Sequence, residues 1–359
     1  MTQSTIEEEI ADGDRQAKIA CSGVWKIYGR HADERLADWL KTGMASMEIR
    51  DEALAVGLMP AVCDVSFHVP RGESFVIMGL SGSGKSTVVR CLCRLIDPSA
   101  GSILLDGRSV PDMSEAELIA MRRREIGMVF QNFGLLPHLT VLENVVFPLR
   151  IQGINRESRE QRARETIELV GLAGREDSFP SELSGGQQQR VGVARSLAVD
   201  PDVWLLDEPF SALDPLIRRQ MQDEFLRLQT ILNKTVVFIT HDFLEAVRLG
   251  ERIAIMKEGR IVQIGSPAEL ILNPADDYVR AFTSEVPRSR VLTAGALVEP
   301  LAAGQNSDGP AVEASATLET LVAMVAGGMD AVTVTGSDRR VIGCITGPRL
   351  RSVLAEAGA

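Results

Sequence analysis

Along this chain two kinds of hydrophobic pattern alternate. The runs "SFVIM" (74–78), "VWLLD" (203–207) and "TVVFIT" (235–240) are almost wholly apolar, and each gives way to polar residues. That is the pattern of strands buried on both faces of a parallel sheet, with their carboxyl ends exposed for chemistry. Between them lie charged stretches with helical spacing, such as Arg156 to Val170. Strand and helix alternating in this way predict an α/β fold. Nearer the start, "KIACSGVWKIYG" alternates partially and predicts a strand. The charged stretch after it, Arg30 to about Leu54, spaces Leu36, Trp39, Leu40 and Met44 as one short amphipathic helix. Ser114 with Glu117 forms a capping box for a helix running through Arg124.

The character changes near Pro287. Residues 295–315 are rich in Ala, Gly and Ser and predict a linker. Residues 316–359 then resume as helix, strand "AVTVT", turn "GSDRR", strand "VIGCIT" and helix. The predicted organisation is a tail over 1–17, a main domain over 18–286, a linker over 287–315 and a small module over 316–359.

Composition narrows the options. The 359 residues are 45% hydrophobic and 24% charged, which suits a globular protein and excludes a disordered one. A net charge of -11 argues against a general nucleic-acid coat. The five cysteines form no C-x-x-C pair and are read as reduced thiols. The acidic start "MTQSTIEEEIADGDRQ" lacks the apolar core of a signal peptide. No apolar run approaches the roughly 18 residues that span a bilayer. A soluble, cytosolic chain is expected, with any membrane role exercised through a partner.

The chemistry concentrates in a few short motifs. "GLSGSGKS" (79–86) fits G-x-x-x-x-G-K-[ST] between a predicted strand and helix. Its glycines let backbone N–H groups approach phosphate oxygens, and the helix N-terminus adds partial positive charge. Lys85 is placed to reach the β- and γ-phosphates, and the Ser86 hydroxyl to ligate Mg²⁺. Asp207, ending the strand "VWLLD", would hold Mg²⁺ through water, and Glu208 beside it could orient or activate an attacking water. His241 closes the strand "TVVFITHD" and could contact a γ-phosphate. Gln131 in "GMVFQNF" follows a strand in the same manner, and its amide could ligate Mg²⁺ or the water.

In their order these motifs resemble those of the nucleotide-binding subunit of an ATP-binding cassette transporter. They run from the phosphate loop through Gln131 and "LSGGQQQR" (183–190) to "LLDEP", "SALD" (211–214) and His241. The resemblance covers about residues 18–285. It implies a P-loop NTPase domain with a parallel-sheet core, an antiparallel β-subdomain and a helical subdomain over about 132–200. It places Tyr28 against adenine, with Gly79, Ser81, Gly82, Ser83, Gly84, Lys85, Ser86 and Thr87 around the phosphates. Ser184, Gly185, Gly186 and Gln187 would face the nucleotide held by a second copy, and Asp214 would link the two sites. ATP and Mg²⁺ are the implied cofactors, and the segment after Gln131 would meet the membrane subunits.

The insertion over about 30–60, with "VIMGLSGSGKST", "RCLCRLIDPSAGSILLDG" and "GMVFQNFGLLPHLTVLENV", resembles the glycine betaine/proline (quaternary amine) uptake ATPases. The implied partners are a second copy in a homodimer, an integral membrane permease and an extracytoplasmic solute-binding protein, with no nucleic acid. The implied place is peripheral, on the cytoplasmic face of the bacterial inner membrane. Residues 316–355 resemble a single CBS module, an α+β unit. Arg349 stands where that family has a ribose-binding Asp, which favours a structural or dimer-pairing role. The competing reading, a soluble cassette ATPase acting on nucleic acid or ribosomes, calls for coiled-coil or zinc insertions or two ATPase halves. The sequence has no second "GKS" or "SGGQ".

Overall fold

All three predicted buried runs are strands of one sheet. The structure, a computed structural model, describes residues 17–130, 134–284, 286–299, 310–326, 331–336 and 338–355. In chain order the first strands are β1 (Ala17–Tyr28), β2 (Met59–Pro70), β3 (Ser74–Met78), β4 (Ala100–Leu105), β5 (Arg108–Ser109), β6 (Ile126–Val129), β7 (Val203–Asp207), β8 (Thr235–Thr240), β9 (Arg252–Lys257) and β10 (Arg260–Gly265). Six of them form a sheet of order β10-β9-β3-β8-β7-β6, and four form a sheet of order β2-β1-β4-β5. In the first sheet β9, β3, β8, β7 and β6 pair in parallel. Every residue of β3, β7 and β8 is buried, as strands covered on both faces require. The second sheet is antiparallel where β1 meets β2 and β4. This gives the expected parallel core and antiparallel subdomain.

The two sheets are joined by packing and by charge. Phe67 of β2 stacks on Phe75 of β3 with ring centroids 5.0 Å apart. Lys18 of β1 is 1% exposed, and its Nζ donates to Asp106 at 2.6 Å and Asp202 at 2.8 Å. A buried ammonium is tolerable only with such partners. Three helices, Val141–Ile151, Arg156–Leu169 and Gly185–Leu197, fall within the expected helical subdomain. Ser114 and Glu117 form the expected capping box.

The stretch after β1 holds two helices, Ala32–Lys41 and Ser46–Ala55, where the spacing predicts one. Leu36, Ile49 and Ala53 are fully buried against Trp25 and Ile27 of β1, with Trp39 and Met44 packed alongside. Leu40 is exposed. Leu36 and Leu40 sit on one helical face, but the helix ends at Lys41, so Leu40 overhangs the small core. Leu36→Ala is expected to destabilise this unit by about 3 kcal/mol, as for other buried leucines. A thermal melt checks this, and an unchanged Tm would count against a packed insertion.

The chain divides into two compact units between Val262 and Gln263. Residues 287–299 belong to the second unit and are structured, in contrast to the predicted linker. Helices Arg288–Val291 and Ala294–Leu297 bury Leu292, Ala294 and Leu297. Thr293 bridges to Thr317 and Glu299 to Cys344. Small residues read as flexible, yet here they permit close packing; the built Cβ of Gly295 would lie 3.1 Å from Ala314. Most of the remaining predicted linker, 300–309, lies outside the described residues, as do 1–16 of the predicted tail. Further on, helix Leu318–Ala326, β12 (Ala331–Thr335), β13 (Val341–Thr346) and helix Gly347–Ala355 follow in the predicted order. With β11 (Ala311–Glu313) the strands make a sheet of order β11-β12-β13.

Candidate functional site

Parallel register brings the predicted groups to one edge. Met78 pairs with Thr240, Asp207 with Ile239, and Val129 with Leu206. The carboxyl ends of β3, β8, β7 and β6 are therefore neighbours, and the residues that follow share one surface. After β3 comes the glycine loop, after β8 His241, after β7 Glu208.

The loop's backbone is fixed by close approach. Gly79 has φ 152° and Gly84 has φ 98°, and added Cβ atoms would overlap the carbonyl oxygens of Met256 and Ala61 respectively. Gly259 N donates to Ser83 O at 3.0 Å, and Cys63 N donates to Gly259 O at 2.8 Å, tying the loop to β2. Helix Lys85–Leu92 begins directly after Gly84 with no side-chain cap. Its first N–H groups are thus left for an anion.

Lys85 is buried, and its Nζ donates to Gly79 O at 2.9 Å and Leu80 O at 3.0 Å. Glu208 Oε1 lies 3.9 Å from the same nitrogen. Burial pushes the ammonium below its usual range, opposed by the Glu208 and Asp207 carboxylates. The Ser86 hydroxyl donates to Asp207 Oδ1 at 2.8 Å. Burial raises the Asp207 carboxyl, while the Ser86 hydrogen bond and Arg90 pull it down. Arg90, 4.0 Å from Asp207 Oδ2, escaped the sequence reading. It lies on the loop's helix but outside the motif.

Glu208 adopts a left-handed φ of 46°, rare for a non-glycine residue and characteristic of functional sites. Its N donates to Ile239 O at 3.1 Å, and Ser211 Oγ donates to its carbonyl at 3.0 Å. Its Oε2 is 3.0 Å from His241 Nδ1. A carboxylate only accepts, so Nδ1 is the donor in this pair. The described edge thus unites Lys85, Ser86, Asp207, Glu208 and His241. Gln131, expected among them, lies outside the described residues.

Other predicted residues stand apart from this cluster. Ser184 Oγ accepts from Gln187 N at 3.3 Å, and Gln187 Oε1 accepts from Ser184 N at 3.0 Å, a reciprocal capping box. No hydrogen bond or ion pair among the described residues joins them to Lys85 or Glu208. Asp214 caps helix Pro215–Leu232 by accepting from Leu216 N and Ile217 N. Gly186 meets Ile217 so closely that a Cβ would come 2.5 Å from its Cγ2. Tyr28 pairs with Met59 across the β1–β2 ladder, beside the Ala61 carbonyl that abuts Gly84. Lys26 Nζ lies 5.3 Å from the Tyr28 ring centroid.

The donor set suits a phosphorylated ligand. The Ser83 hydroxyl is buried within the loop and has no hydrogen-bond partner among the described residues, and such groups normally find one. Ser86 and Asp207 offer the oxygen ligands that a hard divalent cation prefers.

Comparison with known proteins agrees with this chemistry. The profile of the ABC transporter family matches residues 62–211. The ATP-binding protein TmoW of a trimethylamine N-oxide transport system in Ruegeria pomeroyi is 52% identical, over 94% of this chain and 97% of its own. The glycine betaine transport ATP-binding protein OpuAA of Bacillus subtilis is 48% identical, over 83% of this chain and 71% of its own. Among solved structures, the ATP-binding cassette MJ0796, a dimer in a post-hydrolysis state bound to ADP and Pi, aligns with a TM-score of 0.57. It is 34% identical and covers 69% of this chain and 98% of its own. A strand edge whose donors suit a phosphorylated ligand and relatives along nearly the whole length meet in one assignment: the chain belongs to the ATP-binding subunits of ABC transporters, in their betaine and quaternary-amine uptake family.

Proposed function

We propose that this ATPase works as a homodimer and drives import of a quaternary amine or related compatible solute through a separate membrane permease. The observation that carries the chemistry is the convergence of Lys85, Ser86, Asp207, Glu208 and His241 on one strand edge. In this reading the loop N–H groups from Gly79 to Thr87, including those of Ser81 and Gly82, cradle the phosphates of ATP, and Lys85 turns its ammonium to them. Ser86 and Asp207, with Gln131, hold Mg²⁺, which when bound neutralises phosphate charge. Glu208 accepts a proton from the attacking water, and His241 presents Nε2 to the γ-phosphate. Tyr28 stacks on the base.

Each copy supplies this edge to one nucleotide and its Ser184–Gln187 segment to the other. Supporting this, Ser184 and Gly185 are exposed, and among the described residues the side chains of Ser184 and Gln187 make no hydrogen bond beyond the local cap. The relatives named for trimethylamine N-oxide and glycine betaine transport support a trimethylammonium-like solute. In this reading an extracytoplasmic binding protein delivers it. No helix among the described residues is long and apolar enough to cross a membrane. We place the chain at the cytoplasmic face of the inner membrane, held by the permease. A groove of about 410 Å³, lined in part by Phe130, Leu136, Phe147, Pro148 and Ile151, offers that contact.

A concentration series tests the dimer. ATP hydrolysis per chain is expected to rise with protein concentration, and Ser184→Arg to abolish it while each chain still binds ATP. A rate per chain independent of concentration, with Ser184→Arg fully active, would overturn shared sites.

A further inference from the structure

A buried polar cluster lies behind the strand edge and touches none of the groups that face the phosphate. It joins helix Pro215–Leu232, which Asp214 opens, to helix Phe243–Leu249, which follows His241. Glu245 is its centre, 6% exposed. Its Oε1 accepts from Gln222 Nε2 at 3.0 Å. Thr240 Oγ1 accepts from Asp242 N at 3.0 Å, and Asp242 Oδ1 accepts from Glu245 N at 3.2 Å. Thr240 and Asp242, on either side of His241, are therefore bonded to each other, and Asp242 caps the helix turn that carries Glu245.

The opposite helix is held as firmly. Gln222 Oε1 accepts from Arg248 NH1 at 2.8 Å, and Arg248 pairs with Asp223. Arg218 NH2 donates to Leu213 O at 3.2 Å, and its NH1 lies 3.9 Å from Asp242 Oδ2. The imidazole itself is 57% exposed, and Glu208 is its hydrogen-bond partner. A ring so exposed is not aimed by packing, so its direction is set by this hydrogen bond together with the backbone turn that carries it.

We propose that Glu245 is a positioning residue. Through Gln222 its carboxyl anchors the helix that follows His241, whose first turn Asp242 caps, to the helix that Asp214 opens. The proposal rests on the reading in which His241 meets the γ-phosphate. Burying a carboxyl is costly without partners, and a carboxyl at this position adds nothing that an apolar side chain would not supply to packing. Burial is the largest influence on it and holds it above the usual carboxylate range. With this wiring, a displacement of Asp214 when two copies close is carried to the histidine of the same chain.

Steady-state ATP hydrolysis by the full-length chain tests this. Glu245→Ala is expected to lower kcat about tenfold and to leave KM for ATP within about threefold, as for a misaimed group rather than a lost binding contact. Glu245→Gln keeps an oxygen for Gln222 and is expected to restore most of kcat. On a His241→Ala background, Glu245→Ala is expected to cost nothing further from the residual turnover. Wild-type kcat in Glu245→Ala overturns the proposal. So does a further loss on the His241→Ala background, which would report general loosening. If Glu245→Ala does not fold, Gln222→Leu removes the donor from the other helix and is expected to lower kcat likewise; unchanged kcat there overturns the proposal. Full kcat in His241→Ala alone would instead overturn the role given to His241, and the proposal with it.

Discussion

Replacing Glu208 with Gln is expected to leave a chain that binds ATP and scarcely turns it over. The amide matches the carboxylate in shape and keeps an oxygen for His241 Nδ1, now at 3.0 Å. The strained φ of 46° is set by the hydrogen bonds of Glu208 N to Ile239 O and of Ser211 Oγ to the Glu208 carbonyl. Neither involves the side chain, so the turn should persist. What is lost is the proton acceptor. General-base catalysis contributes about 10²–10⁴-fold, so turnover should fall by at least about a hundredfold while the Kd for ATP changes little. With hydrolysis blocked, ATP should hold two copies together long enough to elute as a dimer. Turnover within about tenfold of the unmodified chain would remove Glu208 from the role of base.

Glu208 was legible in the sequence because its signal is local. A carboxylate directly after an all-apolar run has one place to be, the exposed end of a buried strand. The same holds for His241, whose strand precedes it directly, while Lys85 was legible from the glycine loop that separates it from β3. Groups whose partner is distant in sequence were less legible. Gln222 and Glu245 lie on separate helices, and nothing in their spacing announces a 3.0 Å contact. Lys18 reads as an ordinary strand charge, yet it is buried between Asp106 and Asp202. In the insertion, hydrophobic spacing identified Leu36 but placed Leu40 inside, since periodicity does not say where a helix stops. For residues 287–299, Ala and Gly content suggested a linker, whereas Leu292 and Leu297, the residues that bury, were few against that background.

Lys85→Ala is expected to fail one step earlier than Glu208→Gln. The ammonium is almost fully buried; it donates to the Gly79 and Leu80 carbonyls, and Glu208 Oε1 lies 3.9 Å away. Burial already lowers its pKa, so the charge is held at a desolvation cost that only a dense negative partner offsets. A triphosphate is such a partner, and hydrogen bonds to charged groups are worth about 1.5–3 kcal/mol each. Losing one or two of them should weaken ATP binding by about a hundredfold. The two variants therefore separate the halves of the site. Glu208→Gln should bind ATP and accumulate dimer, and Lys85→Ala should do neither, although both lose hydrolysis. Because Glu208 sits 3.9 Å from the ammonium, removing Lys85 also leaves that carboxylate facing the phosphates without a counter-charge, which adds repulsion to the lost attraction. Isothermal titration with ATP measures the difference directly. An unchanged Kd in Lys85→Ala, with undiminished hydrolysis, would show that the loop after β3 is not where phosphate binds.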